Sequence, residues 1–76
     1  MRIGTINCIK MNGNLRIALF RYDWLTVPSG VSLADGTRVV VLPGRRRINP
    51  VWPGEAMVMV LACGLVGWVF EGYVRW

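Results

Sequence analysis

The side chains that most often carry out catalysis are scarce in this 76-residue sequence and do not stand together. There is no histidine. The acidic residues are spread thinly along the chain: Asp23, Asp35, Glu55 and Glu71. Cys8 and Cys63 lie far apart, and neither has a neighbouring base to activate its thiol. Two distant cysteines without a histidine also make no metal-binding pattern. The sequence therefore predicts a protein that is not an enzyme, with no cofactor, no metal site and no small-molecule substrate.

Charged chemistry comes mainly from arginine. Eight arginines and one lysine outnumber the acidic residues, and the net charge is +5. A basic surplus of this size favours anionic partners, such as acidic protein faces, nucleic acid or lipid headgroups. Arg45, Arg46 and Arg47 are consecutive and are candidate nucleic-acid contacts, because guanidinium groups neutralise phosphates and Trp52 nearby can stack on a base. The competing interpretation of the three arginines is a solvated loop tip.

A long apolar run, residues 56–70, must be explained by any proposed fold because it contains no charged residue. A membrane-spanning helix needs about 20 apolar residues, so this run is short for one. It is rich in valine and interrupted by Gly64 and Gly67, which suits strands. We therefore predict strands at 56–62 and 65–70 joined by a turn at Cys63-Gly64. The alternative is a small membrane-anchored protein with a helix at 56–74.

The rest of the chain also predicts short strands. Residues 2–22 suggest an N-terminal β-hairpin around Asn12-Gly13, which would place Ile6 opposite Leu19. Irregular segments are expected at 23–30 and 43–55, where proline and glycine are frequent. The remaining predicted elements are strand 31–33, turn 34–37, strand 38–42, turn 71–72 and strand 73–75. Short strands separated by turns favour a sandwich or small barrel.

Three segments in this order resemble Src-homology-3 domains. Residues 18–22, Ala-Leu-Phe-Arg-Tyr, are similar to the family's Ala-Leu-Tyr-Asp-Tyr signature. Residues 31–42 are similar to its Leu-Ser-Phe-x-x-Gly-Asp-x-x-x-Val-Leu stretch, and residues 67–74 to its closing Gly-Tyr-Ile-Pro-Ser-Asn-Tyr-Val, which forms a strand, a one-turn helix and a last strand. The resemblance covers residues 18–74. It implies a small Src-homology-3-like barrel of five to six short strands. With the N-terminal β-hairpin added to this core, the predicted fold is all-β, and the chain length predicts a single domain spanning 1–76.

The resemblance also implies a protein-binding surface. The family binds polyproline ligands in an aromatic groove, and the matching positions here are Phe20, Tyr22 and Tyr73, with Phe70 in place of the groove proline. The groove tryptophan has no clear counterpart. Residues 23–30 carry a single acidic residue where the family has several. A conventional proline-peptide receptor is therefore not expected. The predicted protein-binding residues are Phe20, Tyr22, Trp24, Trp52, Phe70, Tyr73 and Trp76.

The expected function is a non-catalytic protein–protein interaction or assembly module, a small subunit of a larger complex such as a virus or phage particle. Apolar residues make up 54% of the chain, which is more than so small a domain can bury. The apolar run also lacks the polar alternation of a half-buried strand, which predicts an outer face covered by a partner. The expected partners are protein subunits, of the same or another chain, with acidic or apolar faces.

The second functional alternative is a basic nucleic-acid-binding small barrel. Residues 34–44 resemble the Gly-Asp-x-Val-x-Val-x-x-Gly turn of small barrels in ribosomal and transcription proteins. The N-terminus lacks the apolar core of a signal peptide, so an intracellular, cytoplasmic location is expected, with incorporation in a virion as a further option. Membrane association is not expected.

Overall fold

The structure, a computed structural model, describes residues 2–8, 16–51 and 54–76, without the side chain of Arg45. These residues form seven strands and a single-turn 3-10 helix at Glu71–Tyr73. The strands are β1 (Arg2–Ile6), β2 (Arg16–Arg21), β3 (Trp24–Ala34), β4 (Arg38–Ile48), β5 (Ala56–Ala62), β6 (Leu65–Phe70) and β7 (Val74–Arg75). The all-β prediction is confirmed, and the alternative helix at 56–74 is wrong. No helix among the described residues has the length and apolar character to cross a bilayer.

The strands form one antiparallel sheet in the order β3-β2-β6-β5-β4-β1-β7. Within the described ranges the outermost strands, β3 and β7, do not pair, so the sheet stays open. Its main core nevertheless takes buried side chains from β1 to β6, including Ile6, Leu19, Leu33, Val60 and Val69. Strands that are distant in the sheet order thus share one core, which requires the sheet to bend around it.

The β5–β6 hairpin has the bounds that the sequence predicts. Met57 lies opposite Phe70, and the pairing continues without a shift to Ala62 opposite Leu65. Cys63 and Gly64 form the connection, with φ of 52° and 76°. Two consecutive positive φ values are typical of the type I′ turn, whose twist matches that of the flanking strands. The apolar run is therefore a tight hairpin in the middle of the sheet.

The strand pairing predicted for residues 2–22 is wrong. Ile6 lies opposite Val74, and Leu19 lies opposite Val31. Strand β1 pairs with β4 and β7, whereas β2 pairs with β3 and β6. A side chain at Gly4 would clash with β7, because a Cβ there would lie 2.8 Å from Val74 Cγ1. Glycine at position 4, which has no side chain, thus favours the pairing of β1 with β7. The Asn12-Gly13 turn lies outside the described residues.

The segment predicted to be irregular at 23–30 is mostly strand, whereas the one predicted at 43–55 is strand as far as Ile48 and irregular at 49–51 and 54–55. Residues 24–30 belong to β3, an edge strand, and Pro28 lies opposite Phe20 between two register irregularities, a position where proline is tolerated. Strand β4 continues to Ile48, with a register shift between Val41 and Arg46. The shift spans Pro43 and Gly44, whose φ is 72°. Arg46 and Arg47 consequently lie on a paired strand, with restricted positions relative to β5.

The two cysteines are in opposite environments, which gives a simple test of the fold. Cys8 is fully buried and Cys63 is exposed at the hairpin turn. Burial, with a smaller contribution from Asp35, raises the pKa of the Cys8 thiol. We expect a thiol reagent such as DTNB near pH 8 to label one thiol per chain in the native protein and two in denaturant. Equal native reactivity of Cys8→Ala and Cys63→Ala variants would contradict this placement.

The raised pKa of Cys8 also sets the sign of a pH effect. The folded state binds this proton more tightly than the unfolded state does. The corresponding contribution to stability is complete below the unfolded thiol pKa, about 8.5. It is lost as the pH rises through the higher pKa of the folded state. Above the unfolded thiol pKa, the free energy of unfolding should therefore fall more steeply with pH in the parent chain than in Cys8→Ala.

Candidate functional site

The outer face of the β5–β6 hairpin is divided into two parts. One part is covered by the chain itself: Phe20, Met57 and Trp68 are buried there, and Leu25 and Phe70 pack against them. This second cluster lies on the face opposite the main core, because alternate residues of a strand point to opposite faces. Part of the missing alternation is therefore explained within the chain, by the β2–β3 hairpin folding over β6.

The other part of the outer face is open. Ile3, Val40, Leu61 and Val66 lie directly opposite one another on four adjacent strands, so they form one row on the same face. The exposed fractions are 68% for Ile3, 40% for Leu61 and 41% for Val66, and Val40 is half-buried. We call this row the outer patch. Single exposed aliphatic side chains are common on protein surfaces, but a row of four across adjacent strands suggests a contact surface.

The border of the outer patch is basic. The next row on the same face contains Thr5, Arg38 and Arg75, which lie opposite one another on β1, β4 and β7. Both arginines are exposed. An apolar centre beside two guanidinium groups can contact an apolar surface that carries carboxylates.

A cleft of about 500 Å³ lies on the same face beyond the outer patch. It is lined by Tyr22, Asp23, Leu25, Gly44, Arg46, Arg47, Met59 and Trp68. Met59 and Trp68 are opposite each other, two positions along their strands from Leu61 and Val66, so the cleft and the outer patch adjoin. The indole Nε1 of Trp68 donates a hydrogen bond to the backbone oxygen of Tyr22 at 3.1 Å. This bond fixes the tip of the β2–β3 hairpin over β6 and so shapes one wall.

Two ion pairs neutralise most of the charge around this cleft. Arg46 donates to both carboxylate oxygens of Glu71, at 2.7 and 3.3 Å, which raises the pKa of Arg46. Arg21 likewise donates to both oxygens of Asp23, at 3.0 and 2.8 Å. Its hydrogen bonds lower the pKa of Asp23. Arg47 is exposed and has no ion-pair partner in the described part of the chain. The described side chains thus leave a single uncompensated positive charge at the cleft.

The structure separates the predicted aromatic residues into packed and exposed groups. Phe20 is buried, while Phe70 and Tyr73 are half-buried. The ring of Phe70 makes edge-to-face contacts with Phe20 and Tyr73, with centroids 5.7 and 6.3 Å apart. Tyr22 and Trp24 are 66% and 63% exposed. Tyr22 is thus the predicted contact residue that the fold places beside Arg46 and Arg47.

The remaining predicted residues lie elsewhere or are not described. Trp76 is 48% exposed, and the guanidinium of Arg2 lies 5.9 Å from its ring centroid, a cation–π distance. Trp52 and the Arg45 side chain are outside the described parts. The sequence prediction missed Trp68 and Met59 as cleft residues and missed the whole outer patch, since both depend on strand register. Among the described residues, no group of histidine, cysteine or carboxylate side chains is arranged to hold a metal ion.

The sequence matches no protein-family model and no curated protein, and the structure matches no solved structure. The outer patch and the cleft are therefore the features of this chain from which a function can be inferred.

Proposed function

We propose that this protein is a non-catalytic interaction module that docks through the outer patch onto another protein. The observation that carries the proposal is the open row of Ile3, Val40, Leu61 and Val66. Neighbouring strands lie about 4.8 Å apart, so the row extends roughly 14 Å across the sheet. A contact of this extent fits the apolar centre of a protein interface.

Charge favours a different protein over a second copy of the chain. Two copies would each bring a net charge of +5, and Arg38 and Arg75 border the outer patch. Asp23 and Glu71 are already engaged with arginines of the same chain, and Asp35 accepts a hydrogen bond from the Cys8 backbone N–H at 2.8 Å. These carboxylates are poorly available to compensate a second basic surface. The proposed partner therefore presents an apolar patch bordered by carboxylates.

A Src-homology-3-like organisation is part of the proposal. It is supported by the single-turn 3-10 helix at Glu71–Tyr73 followed by the short strand β7, which is the order implied by the resemblance. Phe70 packs against both Phe20 and Tyr73 in the present chain. The proposed binding surface is accordingly the outer patch and its surroundings, and not these packed aromatic rings.

Leu61→Asp tests the outer patch directly. Leu61 is 40% exposed, so the variant should fold, but it places a charge in the middle of the proposed contact. The partner is first identified by photo-crosslinking from position 61 and then purified. We expect Leu61→Asp to weaken its binding by roughly 30-fold or more in calorimetry, the effect of an interface hot spot.

The matched control is Val51→Asp, at an aliphatic residue that is 58% exposed and lies outside the row. It should bind like the parent chain. Unchanged binding of both Leu61→Asp and Val66→Asp would refute the proposed contact. Sedimentation of the isolated chain as a dimer that Leu61→Asp dissociates would show a second copy as the occupant instead.

A further inference from the structure

The cleft beside the outer patch has an apolar floor and a polar, basic border. Trp68, which is 4% exposed, and half-buried Leu25 and Met59 supply an apolar lining. Arg47 and Tyr22 are exposed at its border. The open surface of the cleft is mainly polar, with a smaller apolar part against which one side chain can pack. Its volume, about 500 Å³, suits a side chain and the backbone next to it.

From this arrangement we propose that the cleft binds a short peptide segment of the partner in which an apolar side chain stands next to a carboxylate. The apolar side chain packs against Trp68 and Met59. The carboxylate accepts hydrogen bonds from the guanidinium of Arg47, whose planar fork matches its two oxygens. The phenol of Tyr22 lies at the same border and is available as a further donor.

The charge balance at the cleft favours a ligand with one carboxylate over a polyanion such as a nucleic acid. Asp23 and Glu71 neutralise Arg21 and Arg46, so Arg47 is the described cleft residue with a free positive charge. Affinity for a nucleic-acid strand grows with the number of phosphates neutralised by separate cations. One available guanidinium fits that requirement poorly. The same single cation is sufficient for an isolated Asp, Glu or terminal carboxylate.

The backbone position of Arg47 is held by the fold. Arg47 lies opposite Met57 on β5, and its neighbour Arg46 is anchored to Glu71 through two hydrogen bonds. On the other wall, the Trp68–Tyr22 hydrogen bond fixes the hairpin tip. The walls are therefore formed before a ligand arrives, which lowers the entropic cost of binding.

This inference rests on the proposed function only in taking the occupant to be part of a protein. Its test needs no partner: the probes are N-acetyl-L-leucine, which has an apolar side chain and a carboxylate, and N-acetyl-L-leucinamide, which lacks the charge. Binding is followed by two-dimensional NMR of the ¹⁵N-labelled chain. We expect N-acetyl-L-leucine to shift the Trp68 indole signal and the Tyr22 and Arg47 amides. N-acetyl-L-leucinamide should bind about tenfold more weakly, because it cannot make the charge-assisted hydrogen bond to Arg47.

Arg47→Gln is expected to reduce the affinity for N-acetyl-L-leucine about tenfold, to the level of the amide probe. Arg16→Gln, which removes an exposed arginine of β2 that lines neither the cleft nor the outer patch, should leave it unchanged. Equal binding of the two probes, no shifts near the solubility limit, or equal effects of both variants would overturn the inference. Shifts at the cleft with octathymidylate but not with N-acetyl-L-leucine would assign the cleft to nucleic acid. Loss of partner docking in Leu61→Asp with unchanged probe binding would separate the patch from the cleft.

Discussion

Replacing Gly67 by alanine is expected to lower the free energy of unfolding by about 3 kcal/mol, the upper part of the range for overpacked cores. A Cβ at this position would lie 2.7 Å from Leu19 Cγ and 2.8 Å from Leu19 Cδ1, and it would also collide with the Phe20 carbonyl oxygen. The backbone of β2 has little room to move, because Arg21 lies directly opposite Gly67. Urea unfolding followed by circular dichroism measures the loss.

Gly72→Ala is the matched control for this substitution. Gly72 has no heavy atom within 4 Å of the corresponding Cβ position. It also lies in the 3-10 helix at Glu71–Tyr73, away from the β2–β6 pairing. Its unfolding free energy should change by no more than about 0.5 kcal/mol. If the two alanine variants are equally stable, the close approach of β2 to β6 is wrong.

Trp68→Ala is expected to cost about 3–5 kcal/mol, as for other buried aromatic truncations. Trp68 is 4% exposed and is the centre of the cluster with Phe20 and Met57. A domain of this size has a total stability of roughly 4–11 kcal/mol, so the substitution should remove a large fraction of it. Its thermal and urea transitions should move sharply to lower values or disappear.

Trp24→Ala provides the comparison, because Trp24 is 63% exposed. Its removal should change the stability by about 0.5 kcal/mol or less. Trp68→Phe is an intermediate substitution. It retains an aromatic ring but loses part of the indole volume together with the N–H donated to the Tyr22 backbone oxygen, for an expected cost of about 1–3 kcal/mol. Similar stabilities of Trp68→Ala and Trp24→Ala would contradict the burial of Trp68 in the cluster with Phe20 and Met57.

Gly67 and Trp68 matter for function because they form the junction between the β2–β3 hairpin and the rest of the sheet. That junction has only two paired positions in the described sheet, Phe20 with Trp68 and Arg21 with Gly67. The hairpin that it holds carries Tyr22 and one wall of the cleft. A variant that loosens this junction should therefore weaken probe binding at the cleft even where the main core is intact.

The parts of the fold that the sequence predicted correctly depend on neighbours in the chain. The strands at 56–62 and 65–70 and the turn at Cys63-Gly64 agree with the structure. The turn at 34–37 is also present, with a hydrogen bond from the Thr37 N–H to the Ala34 carbonyl at 3.1 Å. Turn chemistry and apolar runs are local properties, so a sequence alone specifies them.

Long-range pairing was not predictable in the same way. The Asn12-Gly13 signal favoured joining β1 to β2, yet β1 lies between β4 and β7. Likewise Pro43-Gly44 suggested the end of a strand, but β4 continues past it through the shift between Val41 and Arg46. Which strands pair is decided by packing and register across the complete sheet. The strand propensities of single residues carry no information about either.

Composition and local pattern predict an all-β chain with a basic surplus and with more apolar residues than one face of a sheet can use. They mark Tyr22, among other aromatic residues, as a candidate protein contact, and Arg46 and Arg47, together with Arg45, as candidate nucleic-acid contacts. The position of β2 next to β6, and of Arg47 on β4 opposite Met57, follows from strand pairing in the folded chain. These two pairings bring residues 22 and 47 to one cleft and leave Leu61 and Val66 open beside it. The physical reason is that strand register, a property of the whole sheet, determines which distant side chains share a face.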